Sequence, residues 1–169
     1  MSSGRVPSKV KGLSQPLHRK NVGGVPGKAP VADSPVVLGL DFGGTKIAMA
    51  VCEPDGELRA STTVASGGEL GARASFERAV QSARELLTSA APGRELAAVG
   101  VSTFGIPFDD RVELAPNIDG WVDLPLGQEL RAAFPGATVR MATDAKAAAH
   151  AEARWGALAG ADPLGLGLD

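Results

Sequence analysis

VVLGLDFGGTKIAMAVCEPDGEL, residues 36–58, places an acidic residue and two glycines between two apolar segments. Residues 36–40 have the apolar, β-branched composition of a buried strand, and residues 46–52 alternate larger apolar side chains with small ones, as a second strand does. Asp55-Gly56 is the strongest short hairpin signal in the chain, and residues 57–66 follow it as a third strand. The stretch therefore predicts a three-stranded antiparallel meander.

Helical and strand patterns alternate after the meander. Residues 70–90 carry apolar side chains on one face of a helix, which Pro92-Gly93 ends. Further strands are predicted over 96–105 and 137–143, and further helices over 123–134 and 144–158, with Asp123 as the cap of the first of these helices. Hairpin strands followed by β-α-β units predict an α/β fold with a mixed five-stranded sheet and helices on its faces.

Length and composition exclude several classes of protein. A chain of 169 residues is long enough for one domain with a core, and its net charge of −2 gives no case for nucleic acid as the main partner. The single cysteine, Cys52, excludes an internal disulfide and a multi-cysteine zinc site in this chain, and we expect it to be a small buried side chain on a strand. No apolar run reaches the length of a membrane span, so we expect no membrane partner and a cytoplasmic location.

Residues 1–34 differ in composition from the rest. The first 30 residues hold six Lys and Arg residues and no acidic residue, with repeated Pro and Gly and no apolar period. Such a segment cannot bury enough apolar surface to offset its ordering entropy, which predicts a disordered basic tail. The tail has no aromatic side chain to stack on a base, so nucleic acid is an unexpected partner, and His18 receives no role.

The glycine turn after the first strand has the composition of a phosphate site. It leads into a strand, whereas the P-loop and the dinucleotide fingerprint both lead into a helix. Backbone N–H groups at Gly43 and Gly44 can approach phosphate oxygens because no Cβ blocks them, while Thr45 adds a hydroxyl and Lys46 a cation. Asp41 would repel phosphate unless Mg²⁺ lies between them, so the set predicts a Mg-nucleotide site. An ordinary hairpin turn is the alternative.

Four segments resemble motifs of the ROK family (repressors, open reading frames and sugar kinases) and occur in that family's order. They are LDFGGTK (40–46), GVSTFGIP (100–107), APNIDGW (115–121) and ATDAKAAAHAEARWGAL (142–158). The resemblance implies an actin-like, hexokinase-like ATPase (ribonuclease H-like) fold, with residues 35–160 as the family's N-terminal lobe. It also implies a glucokinase-like enzyme that uses ATP and Mg²⁺ to phosphorylate a hexose hydroxyl.

The resemblance assigns roles to four residues near the sugar. Asp144 corresponds to the general base that accepts the proton of the sugar hydroxyl. Asn117 corresponds to a sugar-binding amide, and Gly105 to a position where the chain approaches the sugar. Thr143 stands where the family has asparagine, but it can still hydrogen-bond a sugar hydroxyl. The alternatives are ordinary structural roles: a helix cap for Asp144, a loop cap for Asn117 and a turn glycine for Gly105.

Other matched positions receive no chemical role. Trp121 is expected to pack in the core rather than to stack on the sugar. His150 and Glu152 are expected on the final helix, either on a solvated face or in packing contacts. Arg140 and Lys146 are left unassigned. The family's Glu-Asn-Asp-x-Asn pattern is here Ala-Thr-Asp-Ala-Lys (142–146), and Phe104 stands where proline is usual. These departures leave the identity of the sugar open.

Residues 161–169 resemble the start of a linker that leads to a second lobe with another phosphate loop, a zinc segment and the adenosine site. We therefore expect this chain to be an incomplete form of the enzyme, and a homodimer is possible. The rival interpretations are a sugar-responsive ROK regulator and a non-catalytic sugar-binding remnant. The regulator requires a winged helix-turn-helix before the glycine turn, for which the basic tail is too short.

Overall fold

The computed structural model describes residues 34–115, 118–156 and 159, so the basic tail predicted over 1–34 lies almost entirely outside the described residues. The strands are β1 (Val36–Phe42), β2 (Lys46–Cys52), β3 (Leu58–Ala65), β4 (Leu96–Thr103), β5 (Ile106–Pro107), β6 (Val112–Glu113) and β7 (Thr138–Thr143). The helices are α1 (Gly71–Ala90), α2 (Leu126–Ala133) and α3 (Asp144–Trp155), and a 3-10 turn at Gly68–Leu70 precedes α1.

Five of the strands form one mixed sheet in the order β3-β2-β1-β4-β7. The meander pairs β1 with β2 and β2 with β3 in antiparallel fashion, and β1, β4 and β7 pair in parallel. The predicted mixed five-stranded sheet is confirmed. Parallel pairing requires a crossover between strands, which α1 supplies between β3 and β4 and α2 supplies before β7.

The two faces of the sheet differ in side-chain size. Larger apolar residues of β1, β2 and β4, such as Leu38, Val51 and Val99, lie fully buried in one core with residues of α1 and α2. Small residues line the opposite face, namely Gly39, Ala48, Ala50, Gly100 and Ala142. A concavity of about 580 Å³ lies on that face beside Ala147 of α3. Within the described residues, no helix is both long enough and apolar enough to cross a membrane.

One sequence prediction about an element end was wrong, and the segment 96–105 is a strand that ends in a loop, as predicted. The helix predicted from Asp123 begins at Leu126, and its N-cap is Pro125 without a side-chain hydrogen bond. Asp123 instead takes part in a turn, in which its N–H donates to the carbonyl of Gly120 at 3.2 Å. The strand predicted over 96–105 ends at Thr103, because Gly105 has φ of 80° and turns the chain into the short β5–β6 hairpin.

A buried ion cluster closes the end of the sheet where β1 begins. Both carboxylate oxygens of Glu53 accept hydrogen bonds from Arg94, at 2.9 and 2.7 Å, and Arg59 donates to one of them. Arg94 also donates through Nε to the carbonyl of Ser34 at 2.6 Å, and Arg59 donates to the carbonyl of Ala90 at 3.0 Å. Hydrogen bonds from Arg94 and then Arg59 lower the pKa of Glu53 to about 2.

Glu53 should therefore make the stability of the fold depend on pH in the acid range. The carboxylate is favoured in the folded state, so its contribution is present above the ordinary pKa of 4.5 and is lost as the pH falls toward about 2. We expect Glu53→Gln to lower stability at pH 7 and to flatten the loss between pH 5 and pH 2.5. The measurement is urea unfolding, followed by circular dichroism, at each pH.

Glu57→Gln is the matched control, because Glu57 lies in the same turn with an exposed side chain. It should retain the pH profile of the unsubstituted chain. If Glu53→Gln loses stability with acid as steeply as the unsubstituted chain, the cluster does not act as described.

Candidate active site

The motif segments meet at one edge of the sheet because β1, β4 and β7 are adjacent parallel strands. Phe42, Thr103 and Thr143, at the carboxyl ends of these strands, lie in register with one another. Neighbouring strands are about 4.8 Å apart, so the segments that follow β1 and β7 lie roughly 10 Å from each other. The glycine turn, the loop after β4 and Asp144 therefore share one edge.

The glycine hairpin, residues 43–46, follows β1. Gly43 donates its N–H to the carbonyl of Lys46 at 3.0 Å, and a Cβ at Gly43 would lie 2.8 Å from that oxygen, so only glycine fits. In the described part of the chain, the N–H groups of Gly44 and Thr45 donate to no protein acceptor. Two backbone donors are thus available at the tip of this hairpin, which is the property required to bind a phosphate oxygen.

The charged residues beside the glycine hairpin are exposed. Asp41 lies in register with Ser102 and Ala142, on the sheet face that carries the small residues. Thr45 and Lys46 also expose their side chains. Among the residues that the structure describes, no group of three or more His, Cys, Asp or Glu side chains could hold a metal ion. Asp41 is the exposed carboxylate nearest in the chain to the glycine hairpin.

Thr143 and Asp144 mark the junction between β7 and α3. Thr143 is the N-cap of α3, and its Oγ1 accepts a hydrogen bond from the N–H of Lys146 at 3.2 Å. Asp144 is the first helical residue, with its side chain exposed and its Oδ1 accepting from the N–H of Ala145 at 2.7 Å. The alternative that Asp144 caps the helix is wrong, since Thr143 has the extended backbone and performs that role. The carboxylate is thereby held by one oxygen at the sheet edge.

Gly105 is packed tightly against the protein itself. A Cβ at this position would lie 2.5 Å from the carbonyl oxygen of Glu113 and 2.9 Å from the Cβ of Ala115. Gly105 thus packs closely against the chain around β6, and its predicted approach to the sugar stays a prediction. Asn117 lies outside the described residues, but Ala115 and Ile118 on either side of the gap are both buried. Packing at Gly105 therefore holds the chain at Ala115, just before the residues that are not described.

Trp121 joins the loop after β6 to two strand ends. Its side chain is fully buried, and its Nε1–H donates to Oγ1 of Thr103 at 3.3 Å. Its ring centroid lies 5.2 Å from that of Phe42 and 5.1 Å from that of Phe104. The packing role predicted for Trp121 is confirmed. Because Phe42 directly precedes the glycine hairpin, the indole links that hairpin to the segment 118–121.

The remaining sequence predictions concern residues of β2, β7 and α3. His150 and Glu152 are exposed on α3, as expected for a solvated face, and Arg140 is exposed on β7. Lys146 is half-buried in the first turn of α3. Cys52 lies on β2, as predicted, but is half-buried, and this burial raises the pKa of its thiol.

A family model described as the ROK family matches residues 37–164. This chain belongs to the ROK family. The glucokinase of Streptomyces coelicolor is 32% identical to it over 123 residues, which are 72% of this chain and 36% of that protein. The chain therefore spans little more than a third of the length of that relative.

Solved ROK structures share this fold. The ROK hexokinase of Thermus thermophilus is 34% identical with a TM-score of 0.59, and the match covers 70% of this chain and 38% of that one. A ROK family glucokinase of Streptomyces griseus, solved with glucose and AMPPNP, is 33% identical with a TM-score of 0.58, covering 74% and 38%. A ROK transcriptional regulator at 20% identity shares the fold alone. The chain thus has the actin-like ATPase fold of these ROK proteins.

The packing at Gly105 predicts how a side chain there would affect stability. Gly105→Ala adds a steric clash to the strain of positive φ, whereas a Cβ added at Gly136, with φ of 88°, would have no other atom within 4 Å. Gly136→Ala should therefore cost only backbone strain, about 1–2 kcal/mol. Gly105→Ala should cost about 1–3 kcal/mol more, as overpacking does. Denaturant unfolding measures both, and equal losses would contradict the packing described for Gly105.

Proposed function

We propose that this chain is the sugar-binding and phosphate-binding lobe of an ATP-dependent kinase that phosphorylates a hydroxyl of a glucose-like hexose. One observation carries the proposal. Two backbone donors of the glycine hairpin, at Gly44 and Thr45, have no acceptor among the described residues and lie at the same sheet edge as the exposed carboxylate of Asp144. A donor of phosphoryl groups and an acceptor hydroxyl need these two features within reach of each other. The glucokinase relatives support the same reaction class.

The glycine hairpin fits the phosphates of Mg-ATP. Gly43 and Gly44 leave no side chain in the way, Thr45 adds a hydroxyl, and Lys46 adds an exposed cation. Asp41 offers the single carboxylate that a magnesium ion needs when phosphate oxygens and water complete its coordination. Bound Mg-ATP would supply the phosphoryl group and neutralise part of its charge. The hairpin amides would hold the phosphate oxygens in a fixed position.

Asp144 is proposed as the general base. Its carboxylate is held by the N–H of Ala145 through one oxygen, and the other oxygen makes no hydrogen bond in the described part of the chain. That second oxygen can accept the proton of the sugar hydroxyl as the new O–P bond forms. Asn117, Thr143 and Gly105 are proposed to contact the sugar. Oγ1 of Thr143 accepts a hydrogen bond from the N–H of Lys146, and its own O–H can donate to a sugar oxygen.

Phosphoryl transfer also requires that water be excluded from the site. The candidate site residues lie along one edge of the sheet, at the ends of β1, β4 and β7. The side chains of Asp41 and Asp144 are both exposed there, so water can reach them. The chain matches only 36% of the length of the Streptomyces coelicolor glucokinase. We propose that further chain, corresponding to the unmatched part of such relatives, forms a second lobe that closes over this edge and contributes the adenosine site. The reaction is placed in the cytoplasm, where ATP is available.

The base is tested in a hybrid in which this chain is joined to the remaining part of the Streptomyces griseus glucokinase. Asp144→Asn keeps the shape of the side chain but cannot accept the proton, so kcat should fall by about 10²–10⁴ while sugar binding persists. Asp123→Asn, an exposed carboxylate outside the site, is the matched control. Activity of Asp144→Asn within a few-fold of the unsubstituted hybrid would end the base assignment. Sugar binding without turnover in either form would favour a ROK regulator.

The chain of 169 residues should not turn over sugar by itself. The glycine hairpin can contact the phosphates from one side only, so the phosphates stay solvated and poorly aligned. Most of the rate acceleration that comes from positioning the reactants is then lost. The measurement is a coupled ADP-release assay with glucose, mannose and N-acetyl sugars, beside Asp144→Asn in the same chain. Turnover above that variant with any of these sugars would contradict the prediction.

A further inference from the structure

We infer that Ser66 is the residue that positions the glycine hairpin, by holding the carbonyls of Gly44 and Thr45 so that the N–H of Thr45 faces the ligand. The inference extends the proposed function, on which its phosphate role rests. Ser66 directly follows β3 and is almost completely buried, with an exposed fraction of 2%. No feature of the sequence around it marks it as a site residue, and its contacts are made across 22 positions of the chain.

Ser66 makes two hydrogen bonds to the hairpin. Its Oγ–H donates to the carbonyl of Gly44 at 2.8 Å, and its own N–H donates to the carbonyl of Thr45 at 3.0 Å. The carbonyl and N–H of a trans peptide group point in opposite directions. The Gly44 carbonyl and the Thr45 N–H belong to one peptide group, so the bond from Oγ turns the Thr45 N–H away from Ser66. This N–H is one of the two donors that lack a protein acceptor in the described residues.

The hairpin needs this restraint because of its own composition. Gly44 has no Cβ, so its backbone populates both signs of φ and the following peptide group can reorient. The bond between Gly43 and Lys46 closes the base of the turn and does not fix the peptide group between Gly44 and Thr45. Without the Ser66 hydroxyl, the Gly44 carbonyl could turn toward the ligand, where its partial negative charge would repel a phosphate oxygen.

The segment after Ser66 also touches the loop on the sugar side. A Cβ at Gly68 would lie 3.1 Å from Cγ1 of Ile118 and 3.5 Å from the carbonyl oxygen of Gly44. Gly68 therefore has little free space between the glycine hairpin and Ile118. The N–H of Ala72, at the start of α1, donates to the carbonyl of Asp119 in the same loop at 2.9 Å. The segment from Ser66 to Ala72 is thus held at one end by the glycine hairpin and at the other by Asp119.

The experiment compares three variants of the full chain. Ser66→Ala removes the hydroxyl donor, and Ser66→Thr retains it. Ser75→Ala is the matched control, since Ser75 is fully buried on α1 and its hydroxyl has no hydrogen-bond partner among the described residues. The first measurement is the ¹⁵N order parameter of Gly44 and Thr45 without ligand. The second is the affinity for magnesium tripolyphosphate, from chemical-shift titration of the same two amides.

Ser66→Ala should lower the order parameters at the tip from about 0.85 to below about 0.6. It should also weaken tripolyphosphate binding by about tenfold, the effect of misdirecting a hydrogen bond to a charged group. Ser66→Thr and Ser75→Ala should match the unsubstituted chain in both measurements. If Ser66→Ala fails to fold, Ser66→Cys replaces it, because the thiol occupies the site but is a weak donor.

Unchanged order parameters in Ser66→Ala would overturn the inference, as would lowered order parameters with unchanged affinity. The second result would give Ser66 a purely structural role. A failure of the proposed function gives a different pattern. If the unsubstituted chain does not bind tripolyphosphate, the hairpin is not a phosphate site, and the phosphate role of Ser66 falls with it. The order parameters then still decide whether Ser66 orders the tip.

Discussion

The parallel pairing of β1, β4 and β7 is the constraint on which the site depends. Each of these strands ends in a segment with a different chemical character, and the register aligns Phe42, Thr103 and Thr143 at one edge. Parallel strands require crossovers of a dozen or more residues, so the three segments are far apart in the chain. A shift of one residue in either pairing would turn the side chains of that strand to the opposite face. The register therefore determines both the core and the position of the candidate site.

Aromatic packing at this edge joins segments that the backbone pairing alone would leave independent. Trp121 contacts Phe42 and Phe104 and donates to the buried hydroxyl of Thr103, so the loop after β6 is held against the ends of β1 and β4. The indole offers a large apolar surface and one donor, and both are used where the chain must cross from one strand end to another. Ser66 joins the end of β3 to the glycine hairpin in a similar way, through hydrogen bonds to the carbonyls of Gly44 and Thr45.

The fold was more predictable from sequence than the site, for a physical reason. The meander follows from local signals, Asp55-Gly56 and the alternation along β2, and these were confirmed. The cap at Asp123 was wrong because a turn competes for the same backbone, and the β5–β6 hairpin was missed because its strands are two residues long and depend on positive φ at Gly105. The ROK motifs located Asp41 and Asp144 at strand ends, but the contacts of Ser66 join distant segments and leave no local pattern.

The two carboxylates of the edge are separated in a way that suits two different tasks. Asp41 is the exposed residue near the end of β1, and Asp144 is the first residue of α3, which follows β7 two strands away. At the roughly 10 Å implied by strand spacing, two exposed negative charges repel each other by less than about 0.5 kcal/mol in water. Under the proposed function, Asp41 would face a cation and Asp144 would accept a proton, and the parallel strands β1, β4 and β7 would keep the two carboxylates apart.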